Sequence, residues 1–134
     1  VFTRTTALHA HAPLDFDRMA LSARDALGEH DFAAFMTAGS KIESTVRTVT
    51  RSEWTRDGAY LFYDVSANGF LYNMVRILVG TMLEIGAGNL PQDAIDRALA
   101  SKDRADAGPT APAHALTLMR VVYDDFDTSE VLSR

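Results

Sequence analysis

Apolar and polar positions change period several times along the chain, and each change marks a predicted element. Phe2 to Ala10 is rich in Thr and β-favouring side chains and stops before Pro13, which predicts a strand closed by a proline-bearing loop. Behind Asp15, a candidate N-cap, the residues Phe16, Met19, Ala20, Ala23 and Leu27 recur at helical spacing, and Gly28 stands where a C-terminal cap belongs. Glu29 to Gly39 reads as a link. Thr45 to Thr55 and Ala59 to Ala67 read as two antiparallel strands, joined through Arg56-Asp57-Gly58, where Asp-Gly is a hairpin signal. Phe70 to Ile85 is apolar on most of a helical circumference and ends at Gly86 and Gly88, so it predicts a helix buried against the sheet. Pro91 opens a further helix with an Ala94, Ile95, Ala98, Leu99 stripe, Asp103 to Ala113 is a proline-bearing loop, and Leu116 to Tyr123 alternates as a last strand.

The order β-α-β-β-α-(α)-β is that of a ferredoxin-like α+β sandwich, an antiparallel sheet with helices on one face. Residues 1–127 are read as one domain and 128–134 as a polar tail. Because the chain starts at Val1 inside a strand-like run, a fragment or processed chain is expected. No stretch has the pattern of a secretion signal, and Asn73, Arg76 and Glu84 interrupt the longest apolar run, so neither export nor a membrane span is supported.

Composition adds two constraints. The 134 residues contain no cysteine, which removes disulfides, thiolate catalysis and Cys-type metal sites and fits a cytoplasmic protein. The formal charge of −5 (13 Lys+Arg against 18 Asp+Glu), taken as an average, argues against a nucleic-acid partner. Its distribution argues otherwise. Residues 41 to 56 carry Lys41, Arg47, Arg51 and Arg56 against Glu43 and Glu53, a local excess of two positive charges, while acids gather at Asp124, Asp125, Asp127 and Glu130. Arg47 and Arg51, at even spacing on one strand, are expected on one face, either as phosphate contacts or as part of a solvated surface.

The most informative stretch is Asn68-Gly-Phe-Leu-Tyr-Asn-Met-Val-Arg-Ile-Leu-Val-Gly80. On a continuous helix Gly69, Asn73, Arg76, Gly80 and Glu84 share one stripe, which places an arginine deep in an apolar helix. Burying an unpaired guanidinium costs several kcal/mol. Either Arg76 snorkels to an edge or pairs with Asp64, or it meets an acid or phosphate from outside the chain, which its planar fork suits. Glycines on the stripe allow another backbone or a ligand to come close.

FLYNMVRILVGTMLEIGAG resembles the signature of the tRNA pseudouridine synthase A family, in its C-terminal half, and other segments agree in the same order. These are Gly28-Glu-His-Asp-Phe32, Ser44-Thr-Val-Arg-Thr48, Asp103-Arg104 and Ala107-Gly-Pro-Thr-Ala-Pro-Ala113 leading to Leu116, so the likeness spans about residues 2 to 124. The resemblance implies an isomerase that converts uridine to pseudouridine in the anticodon stem-loop of tRNA, without metal or organic cofactor, as a cytoplasmic homodimer. It implies a nucleophilic aspartate in a Gly-Arg-Thr-Asp-Ala-Gly motif of an N-terminal half. That motif is absent from this sequence, so the chain alone is expected to be inactive. Arg104-Ala-Asp-Ala-Gly108 is a lookalike in which Asp106 takes a tolerant loop position.

The resemblance carries Arg76 over as partner of the catalytic carboxylate and implies a uracil-pocket role for Leu116, which could equally be a core leucine; Arg47 and Asn73 stand beside them as substrate-binding candidates. Ala115 stands where the family usually has glycine. His9 and His11 share a strand face without a carboxylate pattern, so a metal site is not expected; His30 reads as structural. Trp54 and Tyr63 could stack on bases, though core packing is the commoner fate. The competing class is a non-catalytic ferredoxin-like module that binds RNA or dimerises.

Overall fold

The computed structural model describes residues 2–9, 13–37, 42–111 and 116–123. The elements are β1 (Phe2–His9), α1 (Phe16–Arg24), β2 (Gly28–Asp31), β3 (Val46–Asp57), β4 (Tyr60–Ala67), α2 (Met74–Gly86), α3 (Ala94–Ser101) and β5 (Leu116–Tyr123), with 3-10 turns at Ala33–Phe35 and Arg104–Asp106. The sheet runs β2-β3-β4-β1-β5 with every pair antiparallel. Without β2, this is the strand order of the expected sandwich. Leu8, Val49, Trp54, Leu61, Tyr63 and Val65 meet the helices on one sheet face, while Thr3, Thr5, Asp64 and Ser66 line the other.

Three boundaries differ from the sequence reading, each for a local reason. The 29–39 link contains β2, whose polar Glu29-His30-Asp31 has no strand periodicity; it forms because Val46–Val49 of β3 offers it an edge. Helix α1 starts as expected, with the Asp15 carboxylate accepting the Arg18 amide at 3.2 Å, but stops at Arg24. Gly28, at φ +98°, instead turns the chain into β2.

Helix α2 begins at Met74, one turn later than the apolar run suggests. Asn68, just past β4, is still tied to β3, its amide donating to the Thr48 carbonyl at 3.1 Å and its Oδ1 accepting the Thr48 amide at 2.9 Å. Asn73 then holds φ at +61°, a left-handed conformation that ends any helix entering from 69–72. Gly69 and Asn73 are therefore not on the helical stripe; Arg76, Gly80 and Glu84 are.

From Ile77 to Val79, and at Met82 and Ile85, α2 is fully buried, each side chain stabilising by roughly 1.5–3 kcal/mol. Two glycines set how closely it is packed. A Cβ at Gly86 would meet the Met19 side chain of α1 at 2.7 Å, and one at Gly80 would lie 1.8 Å from the Pro109 carbonyl oxygen. The second obstacle is backbone and cannot swing aside. Among the described residues no helix is long and apolar enough to cross a membrane.

Gly80→Ala is expected to destabilise the fold by about 1–3 kcal/mol, and Gly86→Ala by less because Met19 can move. Urea denaturation checks the order; an equal cost would contradict the Pro109 contact. Burial pushes the Tyr63 phenol well above its ordinary value, against the opposing Ser52 hydrogen bond. An unfolded tyrosine ionises near pH ~10, so the folded state loses stability as pH rises past that point. Tyr63→Phe is expected to flatten this alkaline limb in denaturation curves taken between pH ~8 and ~11.

Candidate functional site

The site is built around the first turns of α2. Asn73 donates from Nδ2 to the Thr37 hydroxyl at 2.9 Å, and the Thr37 amide donates to the Tyr72 carbonyl at 3.2 Å, so the turn before the helix is tied to the 32–37 segment. One turn further, half-buried Arg76 is held at both ends. Its Nε donates to the Ala111 carbonyl at 2.8 Å, while the Ala111 amide donates back to the Arg76 carbonyl at 3.0 Å. Nη1 makes only a long contact, 3.5 Å, with Asn73 Oδ1. Among the described residues no carboxylate reaches the guanidinium within 4.0 Å.

Asp64 does not pair with Arg76. It lies on the opposite sheet face, accepting from the Thr5 hydroxyl and standing 4.0 Å from Arg51. Arg76 thus presents a guanidinium whose orientation is set at Nε and whose Nη edge can receive a carboxylate or phosphate.

Arg47 and Arg51 are separated by the strand itself. Between Val49 and Arg51 the register of β3 slips by one residue, so Thr50 is a bulge and the two arginines face opposite sides. Arg51 is neutralised by Glu53, whose hydrogen bond raises its pKa further, and by Asp64. Arg47 donates from Nη1 to the carbonyls of Ser44, at 2.9 Å, and Val46, at 2.7 Å. It lines a cavity of about 540 Å³ together with Phe2, Arg4, Asn68, Gly69 and Phe70. Among the described residues no acidic side chain lines this cavity, and the Arg4 guanidinium lies 5.1 Å over the Phe70 ring. Sequence reasoning overlooked Arg4; its signal was a charge at an inward position of the Phe2, Arg4, Thr6, Leu8 alternation.

The remaining candidates sort by burial. Trp54 is buried, donates from Nε1 to Met82 Sδ at 3.2 Å and lies 5.0 Å from the Tyr63 ring, and Tyr63 is fully buried with its hydroxyl 2.7 Å from Ser52 Oγ. Both are core residues. His30 Nε2 lies 2.7 Å from the Leu27 carbonyl and the ring packs edge-on to Phe32. Asp106 is exposed on its 3-10 turn, and Arg56 is exposed in the hairpin. Leu116 pairs opposite Leu8 at the start of β5; its side chain, His11, Ala115 and the acidic end from Asp124 lie outside the described residues. Among the described residues no group of three metal-ligating side chains gathers.

Residues 23–124 match the family model described as tRNA pseudouridine synthase, and the chain belongs to that family. The protein named tRNA pseudouridine synthase A of Moorella thermoacetica is 46% identical over 123 residues, which cover 92% of this chain and 50% of that one. Its namesake in Bacillus pumilus is 44% identical over 125 residues, 93% of this chain and 51% of that one. The Halalkalibacterium halodurans protein of that name is 45% identical over 116 residues, 87% of this chain and 44% of that one. The chain spans about half the length of the curated relatives it matches.

The left-handed backbone at Asn73 gives a direct check. Asn73→Ala loses the Thr37 bond and strains the backbone, and is expected to cost about 1–2 kcal/mol in chemical denaturation. Asn73→Gly loses the same bond without the strain and should cost less. Equal losses would mean that the left-handed conformation is not what the position demands.

Proposed function

We propose that this chain is the C-terminal half of a tRNA pseudouridine synthase that isomerises uridine in the anticodon stem-loop, with Arg76 meeting the nucleophilic aspartate of an N-terminal half. The observation that carries this reading is the Arg76 guanidinium, fixed at Nε by the Ala111 carbonyl and without a carboxylate in reach among the described residues. An aspartate docked on the Nη edge is held ionised, because an opposite charge at that distance lowers a carboxyl pKa, and held in one orientation. It can then attack the target nucleoside; the base is freed, turned and rejoined to the sugar through carbon. No metal or organic cofactor enters this scheme.

Arg47, in its cationic cavity, contacts RNA phosphates, which position the tRNA without reading its sequence. Asn73, with Nδ2 committed to Thr37, belongs to the substrate side through its Oδ1 beside Arg76. Leu116 borders the uracil. A cytoplasmic homodimer completes the reading.

Two measurements test it. The isolated chain is expected to leave tRNA unmodified and to regain activity when an N-terminal half is supplied; activity of the chain alone, abolished by Asp106→Ala, would overturn the assignment of roles. In the full-length protein, Arg76→Ala is expected to slow turnover at least ~100-fold while tRNA affinity stays within ~3-fold. Equal losses in turnover and binding would contradict its place beside the nucleophile. Affinity that ignores salt would favour the dimerisation module instead.

A further inference from the structure

The segment that follows α3 is fastened to α2 at points remote from the Nη edge of Arg76. The Thr81 hydroxyl donates to the Ile77 carbonyl at 2.7 Å, which aims its lone pairs outward, and one of them accepts the Gly108 amide at 2.8 Å. Arg104 holds the same residue from the other side, Nη1 donating to the Gly108 carbonyl at 2.7 Å and Nη2 lying 3.4 Å from the Thr110 hydroxyl. Pro109 crosses α2 over Gly80, and Ala111 then exchanges its two hydrogen bonds with Arg76.

We propose that Thr81 and Arg104 are positioning residues for Arg76, the 104–111 segment being a splint that fixes the Nε edge and thereby sets where the Nη edge meets the carboxylate. This rests on the reading of Arg76 given above. An arginine side chain has four free torsions, and the bond at Nε fixes the plane in which its fork lies. A displacement of ~1 Å at such a site costs on the order of 100-fold in rate. Thr81 is fully buried and sits five residues along the helix from Arg76, about 7.5 Å by rise, so it cannot itself touch RNA. Arg104 has both Nη groups turned to its own loop. An effect of either residue on turnover at constant tRNA affinity that vanishes once Arg76 is removed travels through Ala111.

The test uses the full-length protein, single-turnover conversion of a tRNA transcript and a parallel tRNA-binding titration. Thr81→Val keeps the side-chain shape and removes the acceptor of the Gly108 amide; it is expected to slow conversion roughly 10- to 100-fold with tRNA affinity within ~3-fold, and Thr81→Ser is expected to restore the rate. Arg104→Ala is expected to act in the same direction, and carries the test if Thr81→Val fails to fold. The decisive measurement is the double variant. In an Arg76→Ala background Thr81→Val and Arg104→Ala are expected to cause no further loss, because the group they position is gone. Losses that add to that of Arg76→Ala would overturn the proposal, as would full activity of both Thr81→Val and Arg104→Ala where Arg76→Ala is impaired. If Arg76→Ala itself leaves turnover intact, the reading of Arg76 fails and the splint with it.

Discussion

The structure turns on one close approach, the passage of residues 108–111 across α2 at Gly80. Two glycines permit it. A side chain at Gly80 would run into the Pro109 carbonyl, and one at Gly108 would come within 2.7 Å of the Thr81 Cα. With both bare, the loop lies directly on the helix and supplies a donor at Gly108 and a donor–acceptor pair at Ala111. The contact covers α2 at Gly80 and Thr81, both of which are buried. It also brings a carbonyl to Arg76.

That carbonyl resolves part of an electrostatic problem. A guanidinium half-buried in an apolar helix needs hydrogen-bond acceptors, and a neutral carbonyl satisfies one edge without neutralising the charge. The remaining edge keeps its full cationic character in a partly desolvated position. An anion is worth more there than on the open surface, where a salt bridge contributes about 0–1 kcal/mol. Arg51 illustrates the contrast: it is exposed, and its charge is already offset by Glu53 and, at 4.0 Å, by Asp64.

Much of this was legible in the sequence where the signal was local. The Asp57-Gly58 hairpin, the Asp15 cap and the apolar run of α2 each depend on neighbours a few residues away, and each lies close to where the pattern placed it. Arg76 stood out because a charge inside an apolar run is anomalous whatever the fold. What stayed hidden depended on partners distant in the chain. Strand β2 has no periodicity of its own and exists because of the β3 edge; the Thr50 bulge, which moves Arg47 and Arg51 to opposite faces, arises from register against β4. The Ala111 partner of Arg76 lies 35 residues downstream in a loop with no regular pattern. Asn73 misled for a different reason: asparagine tolerates both helix and left-handed backbone, and only the turn from β4 decided between them.

The central claim is that the open edge of Arg76 receives a carboxylate supplied by the rest of the protein. The most direct measurement is the titration of that aspartate, followed by carbon-13 NMR of its carboxyl group in the full-length protein, with Arg76 intact and as Arg76→Gln. The account predicts a pKa below the ordinary carboxylate range in the first case, rising toward it when the cation is removed. A carboxyl that titrates at the same pH in both proteins would contradict it.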